Sequence, residues 1–141
     1  MDTPHPADAS PEHRHYDPYM TRVFLADAKS ETRSALRLLL ADMQMQVVGE
    51  AVDWQSAMTQ IPTTNPDMLV VDWELPAGAY ANAVLAELRA ANPNLRVVVF
   101  SGQLDARQAA LRAGADAFIS IGDAPDRVTE HLRTAASSTR S

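Results

Sequence analysis

Two carboxylates and one hydroxyl in this sequence each stand at the end of an apolar run, where parallel strands often place functional groups. They are Asp27, Asp72 and Ser101. Clustered acids are ligands that a hard cation such as Mg²⁺ prefers. An aspartate beside such a cation can accept a phosphoryl group, because the metal and nearby donors neutralise the transferred charge. This chemistry requires a fold that brings the three side chains together.

The spacing of apolar residues predicts five strands that alternate with five helices. The predicted strands cover residues 22–26, 46–51, 68–72, 96–100 and 117–121. The predicted helices cover residues 30–43, 54–61, 81–91, 104–113 and 125–136. Ser30 is the expected N-cap of the first helix, the second helix is expected to stop before Pro62, and Gly114 ends the fourth.

Strand runs with few polar residues favour a parallel sheet covered by helices on both faces. The sequence therefore predicts a doubly wound (βα)₅ domain of the α/β class. In such sheets, ligands gather at the carboxyl ends of the strands. Asp27, Asp72 and Ser101 are predicted to meet there, with Asp72 at the end of the central strand.

Composition narrows the classes of function. The 141 residues include no cysteine, which excludes disulfides, thiolate metal sites and thiol nucleophiles and fits a cytoplasmic protein. The net charge of −6 lacks the positive field that attracts nucleic acid, so no direct binding of nucleic acid is expected. No apolar run approaches the roughly 20 residues that span a bilayer, and no membrane association is expected. Residues 1–20 are expected to form a disordered tail, 21–136 the folded domain and 137–141 a second tail.

Several ordered motifs of the sequence resemble those of a response-regulator receiver domain, over residues 21–136. Leu25-Ala26-Asp27 resembles the acidic motif of the first strand, and Val70–Gly78 resembles the stretch around the phosphoacceptor. Val97–Gly102 resembles the strand that ends in the switch Ser or Thr, and Ala113–Phe118 the turn into the last strand. The second strand, with Val48-Gly49-Glu50-Ala51, resembles a subgroup that is often joined to helix-turn-helix output domains.

The resemblance implies a five-stranded sheet in the flavodoxin-like order 2-1-3-4-5 and assigns roles to five residues. Asp72 would be the phosphoacceptor, and Asp27 would be an acid on the side of the metal. The backbone carbonyl of Glu74 would face Mg²⁺. Ser101 would bond a phosphoryl oxygen, and Phe118 would be the aromatic residue whose rotamer reports the state of the site.

Two departures from the family pattern indicate an atypical receiver. Ala28 stands where a second acid normally binds the metal, and Ile121 stands where a lysine normally pairs with the phosphoryl group. The resting charge of the pocket is conserved, because the missing acid and the missing lysine offset each other. The phosphorylated state loses cationic partners, so the site is predicted to bind Mg²⁺ weakly or not at all and to be weakened or lost as a phosphorylation site.

The first functional hypothesis is therefore a non-enzymatic signalling module that binds a sensor kinase or another signalling protein. The resemblance implies an output surface over residues 103–136, which would suit a homodimer with paired charges. The charged residues of that surface include Arg107, Arg112, Asp116, Asp126 and Arg127.

Two alternatives remain open. One is a working receiver that is phosphorylated on Asp72 in a phosphorelay. The other is a small ligand-binding domain or enzyme of flavodoxin-like shape. Against the latter, the first loop, Asp27–Ser30, has no glycine-rich phosphate cradle, and His131 is predicted to lie away from the strand ends.

Overall fold

The computed structural model describes residues 20–75, 81–103 and 105–137 of the chain. Its strands are β1 (Arg22–Ala26), β2 (Gln46–Ala51), β3 (Met68–Asp72), β4 (Arg96–Ser101) and β5 (Ala117–Ser120). Its helices are α1 (Ser30–Asp42), α2 (Trp54–Thr64), α3 (Ala81–Ala91), α4 (Ala106–Arg112) and α5 (Pro125–Ser137). Strands and helices alternate along the chain, as the apolar spacing predicts. The expected tails fall almost entirely outside the described residues, as do Pro76 to Gly78 of the phosphoacceptor motif.

The five strands form one parallel sheet in the order β2-β1-β3-β4-β5. This order confirms the predicted flavodoxin-like, doubly wound architecture. In the register of the central strands, Ala26 of β1 lies opposite Val71 of β3, and Asp72 lies opposite Phe100 of β4. The residues that follow β1 and end β3 therefore reach the same edge of the sheet.

Both faces of the sheet are buried, because successive side chains of each strand point to opposite sides. Leu69 and Val71 of β3 pack into one apolar cluster, and Met68 and Val70 pack into the other. All four side chains are at most 2% exposed. Burial of a large aliphatic side chain stabilises a fold by roughly 1.5–3 kcal/mol, so β3 is a major contributor to stability.

The prediction that the second helix stops before Pro62 is wrong. α2 continues through Pro62 to Thr64 and ends at Asn65, which has a left-handed φ of 52°. The Asn65 amide donates to the carbonyl oxygen of Ile61 (2.9 Å), and the Thr64 hydroxyl donates to that of Gln60 (2.9 Å). These bonds and the burial of Ile61, which is 1% exposed, keep the final turn helical although Pro62 lacks an amide donor.

Other element ends differ by one or two residues. The N-cap of α1 is Lys29 rather than Ser30, and its side chain makes no capping bond. β4 includes Ser101, and β5 ends at Ser120, one residue before the expected Ile121. Gly114 follows the end of α4 with a φ of 106°, as expected of a C′ glycine. No described helix is both long enough and apolar enough to cross a membrane.

Replacement of Gly49 by alanine is expected to destabilise the domain. A Cβ atom at Gly49 would lie 2.6 Å from Cε2 of Phe24, which is fully buried. The ring would have to shift within a packed core, which typically costs about 1–3 kcal/mol. Urea denaturation of Gly49→Ala measures this loss in the free energy of unfolding.

Gly122→Ala is the matched control, because a Cβ there meets no atom within 4 Å. Its free energy of unfolding should stay within about 0.5 kcal/mol of the wild-type value. Equal stability of the two variants would contradict the close packing of β2 against Phe24.

Candidate functional site

Asp72 lies at the carboxyl end of the central strand, on the wall of a cavity of about 500 Å³. The turn after it is well defined. The amide of Trp73 donates to the Phe100 carbonyl of β4 (2.9 Å), and the amide of Leu75 donates to the Asp72 carbonyl (2.9 Å). Oδ1 of Asp72 accepts from the amide of Glu74 (3.1 Å), which leaves Oδ2 without a protein donor among the described residues. A half-buried carboxylate therefore faces an open cavity.

Asp27 lies beneath the same edge of the sheet and is 5% exposed. Its Oδ1 accepts from the amide of Lys29 (2.8 Å), and its own amide donates to the carbonyl of Ala51 (3.0 Å). Burial raises the pKa of the Asp27 carboxyl above its ordinary value, the bond from the Lys29 amide opposes this, and the charge of Asp72 raises the pKa further. Ala26 lies opposite Val71 in the register of β1 and β3, so the next residues of the two strands, Asp27 and Asp72, leave the sheet at the same edge.

An ion-pair network anchors the loop between β1 and α1 to β2. Nη1 of Arg33 donates to the Asp27 carbonyl (2.7 Å), and its Nε donates to Oε1 of Glu50 (3.0 Å). Nη1 of Arg37 donates to both carboxylate oxygens of Glu50 (2.7 and 2.8 Å). Arg33 is thus committed to holding the backbone beside Asp27.

Ser101 and Ile121 occupy the neighbouring strand ends. Ser101 is 1% exposed, and its hydroxyl oxygen accepts from the amide of Gln103 (3.0 Å). The Ser101 carbonyl accepts from the amide of Ile121 (3.0 Å). The Ile121 side chain lines the cavity that holds Asp72 and is 52% exposed. An exposed apolar group therefore stands where the family resemblance predicts an ammonium group.

The cavity also contains a residue to which the sequence interpretation gave no role. Lys29 lines it together with Ala28, Asp72, Glu74, Leu75, Gly102, Gln103 and Ile121. Two sequence signals point to Lys29: it follows Asp27 by two positions, and it is the single lysine of the chain. The residues at the strand ends do not reveal this cation, because the loop after β1 supplies it.

Phe118 does not reach the cavity that holds Asp72. It is a core residue, 9% exposed, and it lines a second cavity of about 350 Å³ between α4 and α5. Arg107, Arg127 and His131 line this second cavity as well. His131 thus lies beside Phe118, away from the cavity that holds Asp72, and the role of Phe118 as the aromatic reporter of the site stays a prediction.

The predicted output surface differs from expectation at Asp116. Its Oδ2 accepts from the amide of Val97 (2.7 Å) and from Nη1 of Arg89 (3.4 Å). Asp116 therefore joins β4 and α3 within the domain. The other four residues named above for that surface, Arg107, Arg112, Asp126 and Arg127, are exposed.

The donor set for a metal ion is limited. Within residues 20–75, 81–103 and 105–137, no group of three His, Cys, Asp or Glu side chains is arranged to hold one. Asp27 and Asp72 are close, whereas Ala28 presents a methyl group at the cavity wall. Mg²⁺ favours octahedral oxygen coordination with carboxylate ligands. The described side chains therefore offer too few carboxylate ligands to fit Mg²⁺ well.

Comparison with known proteins adds an independent result. Residues 23–133 match the family described as "Response regulator receiver domain". The chain is 34% identical over 103 residues to the DNA-binding transcriptional activator DevR/DosR of Mycobacterium tuberculosis, and this match covers 71% of the chain but 47% of the relative. It is 29% identical over 113 residues to the chemotaxis protein CheY of Thermotoga maritima, with 79% and 93% of the two chains covered.

A solved structure has the same fold. The isolated REC domain of RcsB from Salmonella enterica serovar Typhimurium, determined with the phosphomimetic BeF₃⁻, superimposes with a TM-score of 0.76 at 18% identity. The superposition covers 86% of this chain and 92% of that domain. The family match spans most of the sequence, and the sheet order agrees with it. The chain therefore belongs to the response regulator receiver domains, which are signalling modules.

Proposed function

We propose that this chain is an atypical receiver domain, a signalling interaction module whose aspartyl-phosphorylation site has kept its shape and lost most of its chemistry. It acts by binding partner proteins rather than as an enzyme. Asp72 is the inherited phosphoacceptor position, Asp27 the inherited acid on the metal side, and Ser101 the inherited phosphate contact. The family membership supports the general role, and the composition of the cavity supports the loss of phosphotransfer.

The observation that carries this proposal is the presence of two apolar side chains, those of Ala28 and Ile121, in the wall of the cavity that holds Asp72. Ala28 and Ile121 both line the cavity, at the two positions where the family supplies an acid and a lysine. Transfer of a phosphoryl group to Asp72 adds negative charge next to Asp27 and Glu74. Loss of a preorganised charge partner typically lowers the rate of such a step by about 10²–10³. With fewer ligands for Mg²⁺ as well, the charge of the transferred group is poorly neutralised.

Signal transfer is proposed to use the surface formed by α4, β5 and α5. Its exposed charges include Arg107, Arg112, Asp126 and Arg127, of both signs, which suits a self-complementary contact in a homodimer. A sensor kinase or another signalling protein is the alternative partner for this surface. The chain is proposed to work in the cytoplasm and to contact neither nucleic acid nor a membrane directly, in line with its net charge of −6.

Binding of beryllofluoride with Mg²⁺ tests the weakened site. The wild-type chain should bind the phosphoryl mimic about 10²-fold more weakly than the double variant Ala28→Asp/Ile121→Lys, which restores both charges. The fluorescence of Trp73, which follows Asp72 in the β3–α3 loop, provides the titration signal.

Asp72→Asn in the restored background is the control and should abolish the fluorescence change. Tight, saturable binding by the wild-type chain, equal to that of the restored variant, would show that the site is intact and would overturn the proposal.

A working phosphoacceptor is the second candidate, because Asp72 lines an open cavity and its Oδ2 accepts no hydrogen bond from the described residues. Incubation with acetyl phosphate and Mg²⁺, followed by intact-mass spectrometry, separates the two functions. We expect little or no phosphoryl adduct on the wild-type chain under conditions that modify the restored variant. A stoichiometric adduct that disappears in Asp72→Ala would establish the second candidate.

The raised pKa of Asp27 predicts a cost in stability at neutral pH. A raised pKa means that the folded state binds the proton more tightly than the unfolded state, so ionised Asp27 opposes folding. Asp27→Asn should therefore have a higher free energy of unfolding than the wild type at pH 7. The gain should shrink as the pH falls through the folded pKa towards the ordinary value near 3.9. Urea denaturation across this pH range measures it.

Asp53→Asn is the control of opposite sign. The Asp53 carboxylate accepts from the amide of Ser56 (2.7 Å) at the start of α2, and this bond lowers its pKa. A lowered pKa means that ionised Asp53 stabilises the fold at every pH above the pKa that this group has in the unfolded chain. Asp53→Asn should therefore not gain stability at pH 7. A loss of stability in Asp27→Asn at pH 7 would contradict the burial cost of Asp27.

A further inference from the structure

Lys29 is the single lysine of the chain, and it lines the cavity that holds Asp72. Of the described residues that line this cavity, it alone has a positive charge; the charged remainder are Asp72 and Glu74. The charge of Lys29 also acts on Asp27, whose pKa it lowers. The ammonium group therefore acts on Asp27 and belongs to a residue that lines the same cavity as Asp72.

The backbone of Lys29 is held on two sides. Its amide donates to Oδ1 of Asp27 (2.8 Å), and its carbonyl accepts from the amide of Arg33 (3.1 Å) in the first turn of α1. The loop is in turn anchored by the contacts of Arg33 with the Asp27 carbonyl and with Glu50. A flexible four-carbon side chain thus extends over the cavity from a fixed point.

The neighbouring arginines already form ion pairs with a carboxylate, whereas Lys29 forms none with the side chains that the structure describes. Arg33 and Arg37 both bond to Glu50. None of the ion pairs found between described side chains includes Lys29, which is exposed. A lysine ammonium is a compact point charge with three donors, and its long stem lets it move towards an anion.

We propose that Lys29 is the cationic contact for an oxyanion held at Asp72, so that the positive charge reaches the site from the β1–α1 loop instead of from the end of β5. This inference rests on the proposed function, because it concerns the affinity that remains in the weakened site. Ile121 leaves the β5 side without charge, and Ala28 removes an acid that would compete for the ammonium. In such a site, the flexible side chain of Lys29 brings its ammonium group to the bound anion.

The experiment uses beryllofluoride as the probe and the full chain as the protein, with fluoride alone as the blank. Reductive methylation with ¹³C-formaldehyde labels Lys29 and the amino terminus only and preserves both charges. During the titration we expect the methyl resonance of Lys29 to shift with saturation, while that of Met1 stays in place. Asp72→Asn should remove the shift.

Affinity provides the second readout. Lys29→Met should weaken binding of beryllofluoride by about two- to fivefold, a size typical of an exposed charge pair. Lys29→Arg should recover most of the affinity. Arg133→Met removes an exposed cation on α5, away from the cavity, and should leave the affinity unchanged.

A double-mutant cycle tests whether the two positions are alternatives. In Ile121→Lys, where the β5 lysine is restored, the effect of Lys29→Met should shrink towards zero, because a second cation meets the same anion. If the effects of Lys29→Met and Ile121→Lys on the binding free energy were fully additive, the two side chains would not contact the same anion, and this would overturn the role of Lys29.

The outcomes separate this inference from the proposed function. Unchanged affinity in Lys29→Met, an unmoved Lys29 resonance at saturation, or no binding at all by the wild type would each overturn the role of Lys29 and leave the weakened site in place. Wild-type affinity equal to that of Ala28→Asp/Ile121→Lys would overturn the proposed function, while the Lys29 measurements would still decide the inference.

Discussion

The position of β3 between β1 and β4 is the constraint on which the rest of the structure depends. A parallel strand paired on both sides and covered on both faces tolerates few polar residues, and the side chains of β3 before Asp72 are almost fully buried. The first carboxylate after this run is forced to the edge of the sheet. The same pairing brings Asp27, which follows β1, to the same edge.

This proximity has an electrostatic consequence. Asp27 and Asp72 end neighbouring strands, and Asp27 is buried, so the charge of Asp72 adds to the burial that disfavours ionisation of Asp27. The loop between β1 and α1 moderates the repulsion with the amide of Lys29, the charge of Lys29 and the guanidinium of Arg33. The end of β5 contributes an apolar side chain instead. The positive charge in the cavity therefore comes from the β1–α1 loop. The family motifs imply instead a positive charge from the end of β5.

The sequence predicted more of the fold than of the site. Apolar periodicity located all ten elements because strand and helix periods differ, and it erred mainly at ends such as Pro62, where tertiary burial of Ile61 outweighs the local signal. The meeting of Asp27 and Asp72 followed from the rule for parallel strand ends. The position of Lys29 over the cavity did not, because an exposed side chain on a loop has no periodicity to reveal its direction.

The sequence by itself determined the (βα)₅ order, the residue types at the strand ends and the departures at Ala28 and Ile121, because these depend on local pattern and on identity. Only the tertiary structure decided which side chains share a space. It placed Lys29 on the wall of the same cavity as Asp72, bonded Asp116 to β4 and α3, and placed Phe118 on the wall of a separate cavity. The physical reason is that burial and long-range pairing, which join residues far apart in the chain, set the direction and the electrostatic surroundings of each side chain.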